Sequence, residues 1–264
     1  MIDAHCHIHD LLSRLPLDLI KQRAKSVGIQ RIITCSCSVG EWDSQPTEDE
    51  FIVPQFGVHP WWAAEERPAN WLEILRSKLM QFPLSGVGEI GLDKNKAKKG
   101  IVSFPVQIET FRSQLRLACE MRRTSTVHCV NSYGTLTDIL REEREKISAP
   151  VVIHSFSGSG DNVKELIRVC PTIFFSVSGH CPKTEIIPFI PIDRMLIETD
   201  SPSMPIDSSD RTVHGILVPD KLDDKTNDCA QLIHVAARVA TATGQSLETV
   251  RHVTMQNTIR AYQL

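Results

Sequence analysis

The chain opens on residues 1–10, MIDAHCHIHD, and the stretch from Asp3 to His7 governs how the rest is read. Residues 2–6 are a short run that suits a strand. Successive side chains of a strand point to opposite faces, so His5 and His7 share one face while Cys6 takes the other. Two imidazoles side by side at a strand end can grip one divalent ion. Taken alone they could equally be packed core histidines, so the decision rests on what the following strands carry at their ends.

Seven more short apolar, β-branched runs follow, at 31–35, 51–57, 84–89, 125–128, 150–154, 172–176 and 194–198. Text of helical period lies between most of them, at 16–27, 70–82, 105–121, 133–145 and 162–169. That alternation predicts a parallel sheet with helical crossovers. The stretch 38–50 is acidic, contains Pro46 and reads as a loop, and 182–191 has room only for a short helical turn. Eight such units match an α/β fold of the (β/α)8 TIM-barrel type, typically about 250 residues. A doubly wound open sheet is the structural alternative. After the last run comes a Pro/Ser/Asp-rich loop at 201–223, then helical text at 227–243 and 247–264. With no repeat, low-complexity tract or linker, residues 1–264 are expected to form a single domain.

Composition narrows the class. The 264 residues are 41% hydrophobic and 23% charged, which excludes a disordered chain and suits a sizeable core. The 29 Lys+Arg against 32 Asp+Glu lack the basic excess of a protein that coats nucleic acid, so any such contact must be local. Eight cysteines without a CxxC pair fit a reducing compartment, with Cys35 and Cys37 read as strand residues rather than a metal clip. The opening residues show no basic stretch leading into an apolar one, and no uninterrupted apolar window reaches membrane-spanning length. These features predict an intracellular protein, cytoplasmic or nuclear, with no membrane partner.

The polar residues at the C-terminal ends of the candidate strands are His5 and His7, then His59, Glu89, His128, His154 and Asp200. In a barrel these ends converge on the face that carries active sites. Neutral imidazoles and ionised carboxylates are the ligand set of Zn, Mn, Co or similar divalent ions, and two ions need about this many donors. A carboxylate such as Glu89 can bridge both. His9, His180, His214, His234 and His252 are expected to be structural, although His214 lies in the loop after Asp200 and could reach the site.

These residues carry a resemblance to the TatD family of metal-dependent deoxyribonucleases, within the amidohydrolase-type barrels. DAHCHIHD resembles the family's opening metal motif, GVHPWW its GxHP motif and VGEIGLD its central carboxylate motif. TVHCV and VIHSFSGS resemble its two later histidine strands, LIETDSP its closing aspartate motif and QNTIRAYQL its terminal helix. The resemblance implies that His5 and His7 bind one ion with Asp200, that His128 and His154 bind the other, and that Glu89 bridges. It also implies cleavage of DNA phosphodiester bonds, as an exonuclease acting at 3' ends, with DNA as the partner and two ions, Zn, Mn, Mg or Co, as cofactors. Three departures bear on substrate choice. Asp93 is followed by Lys94 in KNKAKKG where the family usually has an aromatic residue. Cys129-Val130-Asn131 stands where a Ser-Arg-Asp-like stretch is common, and Asn227-Asp228-Cys229 is the nearest counterpart of an Asn-x-Pro element.

The expected chemistry is attack by a metal-activated water, with Asp200 accepting its proton and His59 hydrogen-bonding a phosphate oxygen or the leaving group. Trp61 and Trp62 are candidates for stacking on a base, or for packing on the barrel rim. Lys94, Lys96, Lys98 and Lys99 could contact the phosphate backbone, or form a solvated loop. An esterase or amidase of the same barrel type, such as a deacylase, would use the same donors and differ only beyond the ions. A barrel without catalysis should have lost a ligand, and none is missing.

Overall fold

A computed structural model describes residues 1–47, 49–179, 184–206 and 210–264. Eight parallel strands form one sheet in chain order: β1 (Ile2–Cys6), β2 (Arg31–Cys35), β3 (Ile52–Phe56), β4 (Gly86–Asp93), β5 (Ser125–Val130), β6 (Val151–Ile153), β7 (Ile173–Val177) and β8 (Met195–Ile197). This is the expected (β/α)8 barrel. Each strand pairs in parallel with the next from β1 to β8. The β8–β1 seam closes differently. Asp200 N donates to His5 O at 3.0 Å and His7 N to Ser201 O at 2.6 Å, just beyond the strand. The Asp3 carboxylate accepts from Thr199 N at 2.9 Å and from its hydroxyl at 2.6 Å. A side chain thus does part of what a ladder does elsewhere.

The helices are α1 (Ile8–Leu11), α2 (Leu17–Ser26), α3 (Trp71–Gln81), α4 (Lys94–Lys98), α5 (Phe104–Glu120), α6 (Tyr133–Glu143), α7 (Gly160–Val169), α8 (Leu232–Thr243) and α9 (Leu247–Tyr262). The crossover read as a loop at 38–50 carries a 3-10 turn, Val39–Ser44, closed by a reciprocal Ser38–Glu41 capping box. Another 3-10 turn, Thr184–Phe189, fills the described part of the short crossover before β8. The loop expected over 201–223 contains a small hairpin, β9 (Thr212–Val213) with β10 (Ile216–Leu217).

Two features depart from expectation. First, β4 runs to Asp93 rather than ending at Glu89, and the lysine run that follows is helical: α4 starts where the Asp93 side chain caps the N–H groups of Asn95 and Lys96. Second, β1 and β4 each carry one extra residue against their neighbours. Asp3 and Cys6 face Ile32 and Thr34, and Val87 and Ile90 face Ser125 and Val127. Such bulges re-aim side chains, and these two fall at His5 and Glu89.

The main core lies between the strands and the surrounding helices and includes Cys6, Phe56, Phe111, Leu115, Phe175 and Ile233. A smaller cluster of Ile2, Ala4, Ile33, Val53, Val152, Phe174 and Leu196 meets Ala261 and Tyr262 of α9. Tyr262 donates its hydroxyl to Ala4 O at 2.9 Å, so the final helix plugs the end of the barrel away from the histidines. No helix among the described residues is long and apolar enough to cross a membrane.

Candidate metal centre

His5 and His7 come from β1 and its end, Glu89 from β4, His128 from β5, and His154 and Asp200 from the turns after β6 and β8. All are buried or nearly so. His5 Nε2 lies 3.3 Å from His7 Nε2, 3.4 Å from Glu89 Oε2 and 3.4 Å from Asp200 Oδ1. His7 Nε2 lies 3.5 Å from Glu89 Oε2 and 3.4 Å from Asp200 Oδ1. Four donors around an ion at about 2.1 Å in a tetrahedron stand about 3.4 Å from one another. The five distances match that spacing and are too long to be good hydrogen bonds, so the residues fit a divalent ion.

The other oxygen of Glu89 serves a second cluster. Oε1 lies 2.9 Å from His128 Nδ1 and 2.8 Å from His154 Nε2, and those two nitrogens are 3.1 Å apart. Glu89 therefore stands between two donor groups, as a bridging carboxylate must. Asp200 adopts the left-handed conformation (φ +56°), which aspartate tolerates and which turns its carboxylate toward the histidine pair. Asn227 fixes that turn by donating to Thr199 O at 2.7 Å and to Met204 O at 3.1 Å.

Outer hydrogen bonds set the histidine tautomers, as at metal sites generally. His7 Nδ1 donates to Cys35 O at 2.9 Å and His154 Nδ1 faces Glu198 Oε1 at 3.3 Å, so Nε2 of each is left for the site. His59 differs. Its Nδ1 accepts from Trp61 N at 3.2 Å, which places the ring proton on Nε2, 3.2 Å from Glu89 Oε1. Burial pushes His59 down to about 4, so it stays a neutral donor. Burial also opposes charge on His154, but the Glu89 carboxylate and the Glu198 hydrogen bond together raise the ring to about 9. Burial likewise opposes the carboxylate of Asp200, yet the imidazoles of His5 and His7 beside it hold it well below the usual range. Burial opposes the Glu89 carboxylate too, and the charge of His154, with hydrogen bonds from His128 and His154, holds it well below the usual range. A bound cation would compete with protons for these same nitrogen and oxygen atoms, so metal binding there would release protons.

Above these atoms lies a cleft of about 330 Å³, walled by Trp61, Trp62, Val130, Ser155, Ser157 and Met204 among others. Among the described residues no lysine or arginine lines it. Trp61 and Trp62 stack with ring centroids 5.8 Å apart, and Trp61 is 37% exposed. Lys96 lies over the Trp61 ring, 3.6 Å from its centroid, and Lys94 over Phe104 at 5.8 Å. The lysine run thus finds an aromatic partner on a different loop, which its own composition did not reveal.

Each of the seven strand-end residues comes to the site. His9 is buried behind it against Glu41, and His214 lines a separate pocket with His234 and Arg238. His252 is exposed, and His180 lies outside the described residues. Cys35 sits in β2 as expected, but Cys37 lies past the strand end and borders the cleft, with Sγ 3.8 Å from His7 Nδ1. Burial pushes its thiol up to about 12, so it stays protonated. Sequence reasoning missed Asp93 and Glu198, which face His128 and His154. Both were visible as carboxylates inside the motifs GLD and IETD.

A model of the family described as TatD related DNase matches residues 2–263. The chain is 26% identical to the uncharacterized metal-dependent hydrolase YabD of Bacillus subtilis, covering 100% of this chain and 99% of that one. It is 30% identical to the 3'-5' ssDNA/RNA exonuclease TatD of Citrobacter koseri, covering 70% of this chain and 67% of that one. Among solved structures, the TatD homologue YJJV of Escherichia coli K12 has a TM-score of 0.81 at 22% identity, covering 100% of this chain and 98% of the other. A TatD family hydrolase of Entamoeba histolytica has a TM-score of 0.80 at 20% identity, covering 99% and 97%. These two likenesses speak for the fold. With the family model spanning almost every residue, the chain belongs to the TatD family of metal-dependent hydrolases.

Proposed function

We propose that the chain is a phosphodiester hydrolase that removes nucleotides from DNA ends, acting at the 3' end. His5, His7 and Asp200 would hold one divalent ion and His128 and His154 a second, with Glu89 between the two groups. The observation that carries the reading is the set of near-equal spacings of 3.3–3.5 Å among His5, His7, Asp200 and one oxygen of Glu89, with a second donor group on its other oxygen. Nuclease names among the relatives, including the Citrobacter koseri exonuclease and a deoxyribonuclease of Schizosaccharomyces pombe, support DNA as the substrate.

Divalent ions bound there would act as Lewis acids and lower the pKa of a coordinated water toward about 7. The chain's own groups do the rest. Asp200, whose carboxylate faces the same space as the histidine pair, would accept the proton of the attacking water. His59, neutral with its proton on Nε2, donates a hydrogen bond to phosphate or leaving-group oxygen. Trp61 and Trp62 offer a terminal base an aromatic wall.

One observation favours a second reading. Among the described residues the cleft beyond the ions has no cation, so an ester or amide substrate of lower charge also suits it. The deciding assay uses a 3'-labelled single-stranded oligonucleotide with Zn, Mn, Mg or Co, with chelator, and with Asp200→Asn. Metal-dependent release of nucleotides that the variant loses is the expected result. Absence of release from protein shown to contain bound metal would move the assignment to the ester or amide hydrolase.

A further inference from the structure

Asp93 closes β4, four residues beyond Glu89, and its two oxygens do different things. Oδ1 accepts from the backbone N–H groups of Asn95 at 2.9 Å and Lys96 at 3.0 Å, capping α4. Oδ2 accepts the indole N–H of Trp61 at 2.7 Å and faces His128 Nε2 at 3.7 Å. The backbone beneath is clamped by Gln107, which accepts from Asp93 N at 2.7 Å and donates to Asp93 O at 3.1 Å. The carboxylate is therefore held by α4 and by Trp61, on a backbone that is itself fixed.

His128 supplies the second half of the argument. Its Nδ1 is turned to Glu89 Oε1 at 2.9 Å, while its Nε2 is buried without a hydrogen-bond partner. A neutral imidazole that offers Nδ1 to a cation must carry its proton on Nε2. Asp93 Oδ2 is the carboxylate oxygen facing that atom. At 3.7 Å the contact is too long for a hydrogen bond, and a small shift of the ring closes it. Trp61 is held from above as well, with the Lys96 ammonium 3.6 Å from its ring centroid.

We infer that Asp93 is a positioning residue that fixes His128 in its Nε2–H tautomer and, through the Trp61 indole, joins the cleft wall to the second donor cluster. The inference rests on the proposed role of His128 as a metal ligand. Its consequence is that wall and cluster share one carboxylate, so displacing Trp61 should disturb His128.

The test separates this role from helix capping. Asparagine caps a helix about as well as aspartate, so Asp93→Asn can keep the Oδ1 contacts while presenting an amide N–H to Trp61 and His128. With zinc alone, equilibrium dialysis of the wild type should give two bound ions, and His128→Ala should lose one. Asp93→Asn should bind the first ion as the wild type does and the second roughly 10- to 100-fold more weakly. If His128→Ala keeps both ions, the ligand assignment falls and the inference with it. If His128→Ala loses one while Asp93→Asn binds both with wild-type affinity, the inference alone falls. Nitrogen-15 spectra of the zinc-loaded wild type need no variant: a His128 ring proton on Nε2 is expected, and one on Nδ1 overturns the assignment even if Asp93→Asn fails to fold.

Discussion

Glu89 is the residue on which both donor groups depend, since Oε2 faces His5 and His7 while Oε1 faces His128 and His154. Glu89→Gln keeps the size and one acceptor oxygen but removes the charge and puts an amide N–H where a cation should sit. Turnover should fall by at least about 100-fold, the scale of losing one preorganised electrostatic group, and bound metal should drop by one ion or more. A variant that kept more than about a few per cent of the rate with unchanged metal content would remove Glu89 from the bridging role. The convergence of these side chains was legible because histidine and carboxylate at successive strand ends are hard to place by chance. Their supports were less so. Glu198 and Asn227 lie inside recognisable motifs, but only the fold shows that one faces His154 and the other sits under the Asp200 turn.

At the scale of elements, strand and helix positions followed the apolar periodicity closely, while the bulges in β1 and β4 left no trace in it. A single extra residue changes which side chain faces the site without changing composition. The same holds for α4, whose lysines read as a charged loop because the cap that starts it is the side chain of Asp93. Gly91, just past the β4 bulge, shows how closely β4 approaches β5 there. It sits at φ +143°, and a Cβ there would come within 2.0 Å of His128 O, so no other residue fits. Gly91→Ala should cost about 3 kcal/mol by overpacking and should also displace His128. For a chain of this size that corresponds to a melting point roughly 6 to 12 °C lower, with a weakened second ion, and unchanged values of both would show that β4 can relax. A second element-level case is the α5–α6 contact. Glu143 is buried and accepts from Arg116 at 2.8 and 2.6 Å and from Lys146 at 2.7 Å. The Arg116 hydrogen bonds, against some burial and with help from Lys146, lower its carboxyl from 4.5 to about 2. A carboxyl lowered on folding adds stability above its unfolded value and loses that contribution as pH falls toward the folded one. Glu143→Gln should therefore melt below the wild type at pH 7, with the gap narrowing between pH 4.5 and 2. An equal gap at pH 3 and pH 7 would assign the effect to packing instead.

Across the whole molecule, the donors of the first cluster straddle the barrel's weakest joint. His5 and His7 belong to β1, Asp200 follows β8, and the hydrogen bonds from Asp200 N to His5 O and from His7 N to Ser201 O close the seam between them. An ion held by residues on both sides acts as a clasp, so its binding energy is also closure energy. Saturation at about 1,000 times the dissociation constant would contribute roughly 4 kcal/mol to stability. Chelation should therefore lower the melting temperature and do so unevenly. The amides of His7 and Asp200 should exchange with solvent much faster in the metal-free protein. Those of α9, which close the opposite end through Tyr262, should change little. Hydrogen exchange followed by mass spectrometry with and without chelator reads the difference directly. A uniform loss of protection would make the ion a general stabiliser, whereas a loss confined to the seam would tie the barrel's closure to the site that performs its chemistry.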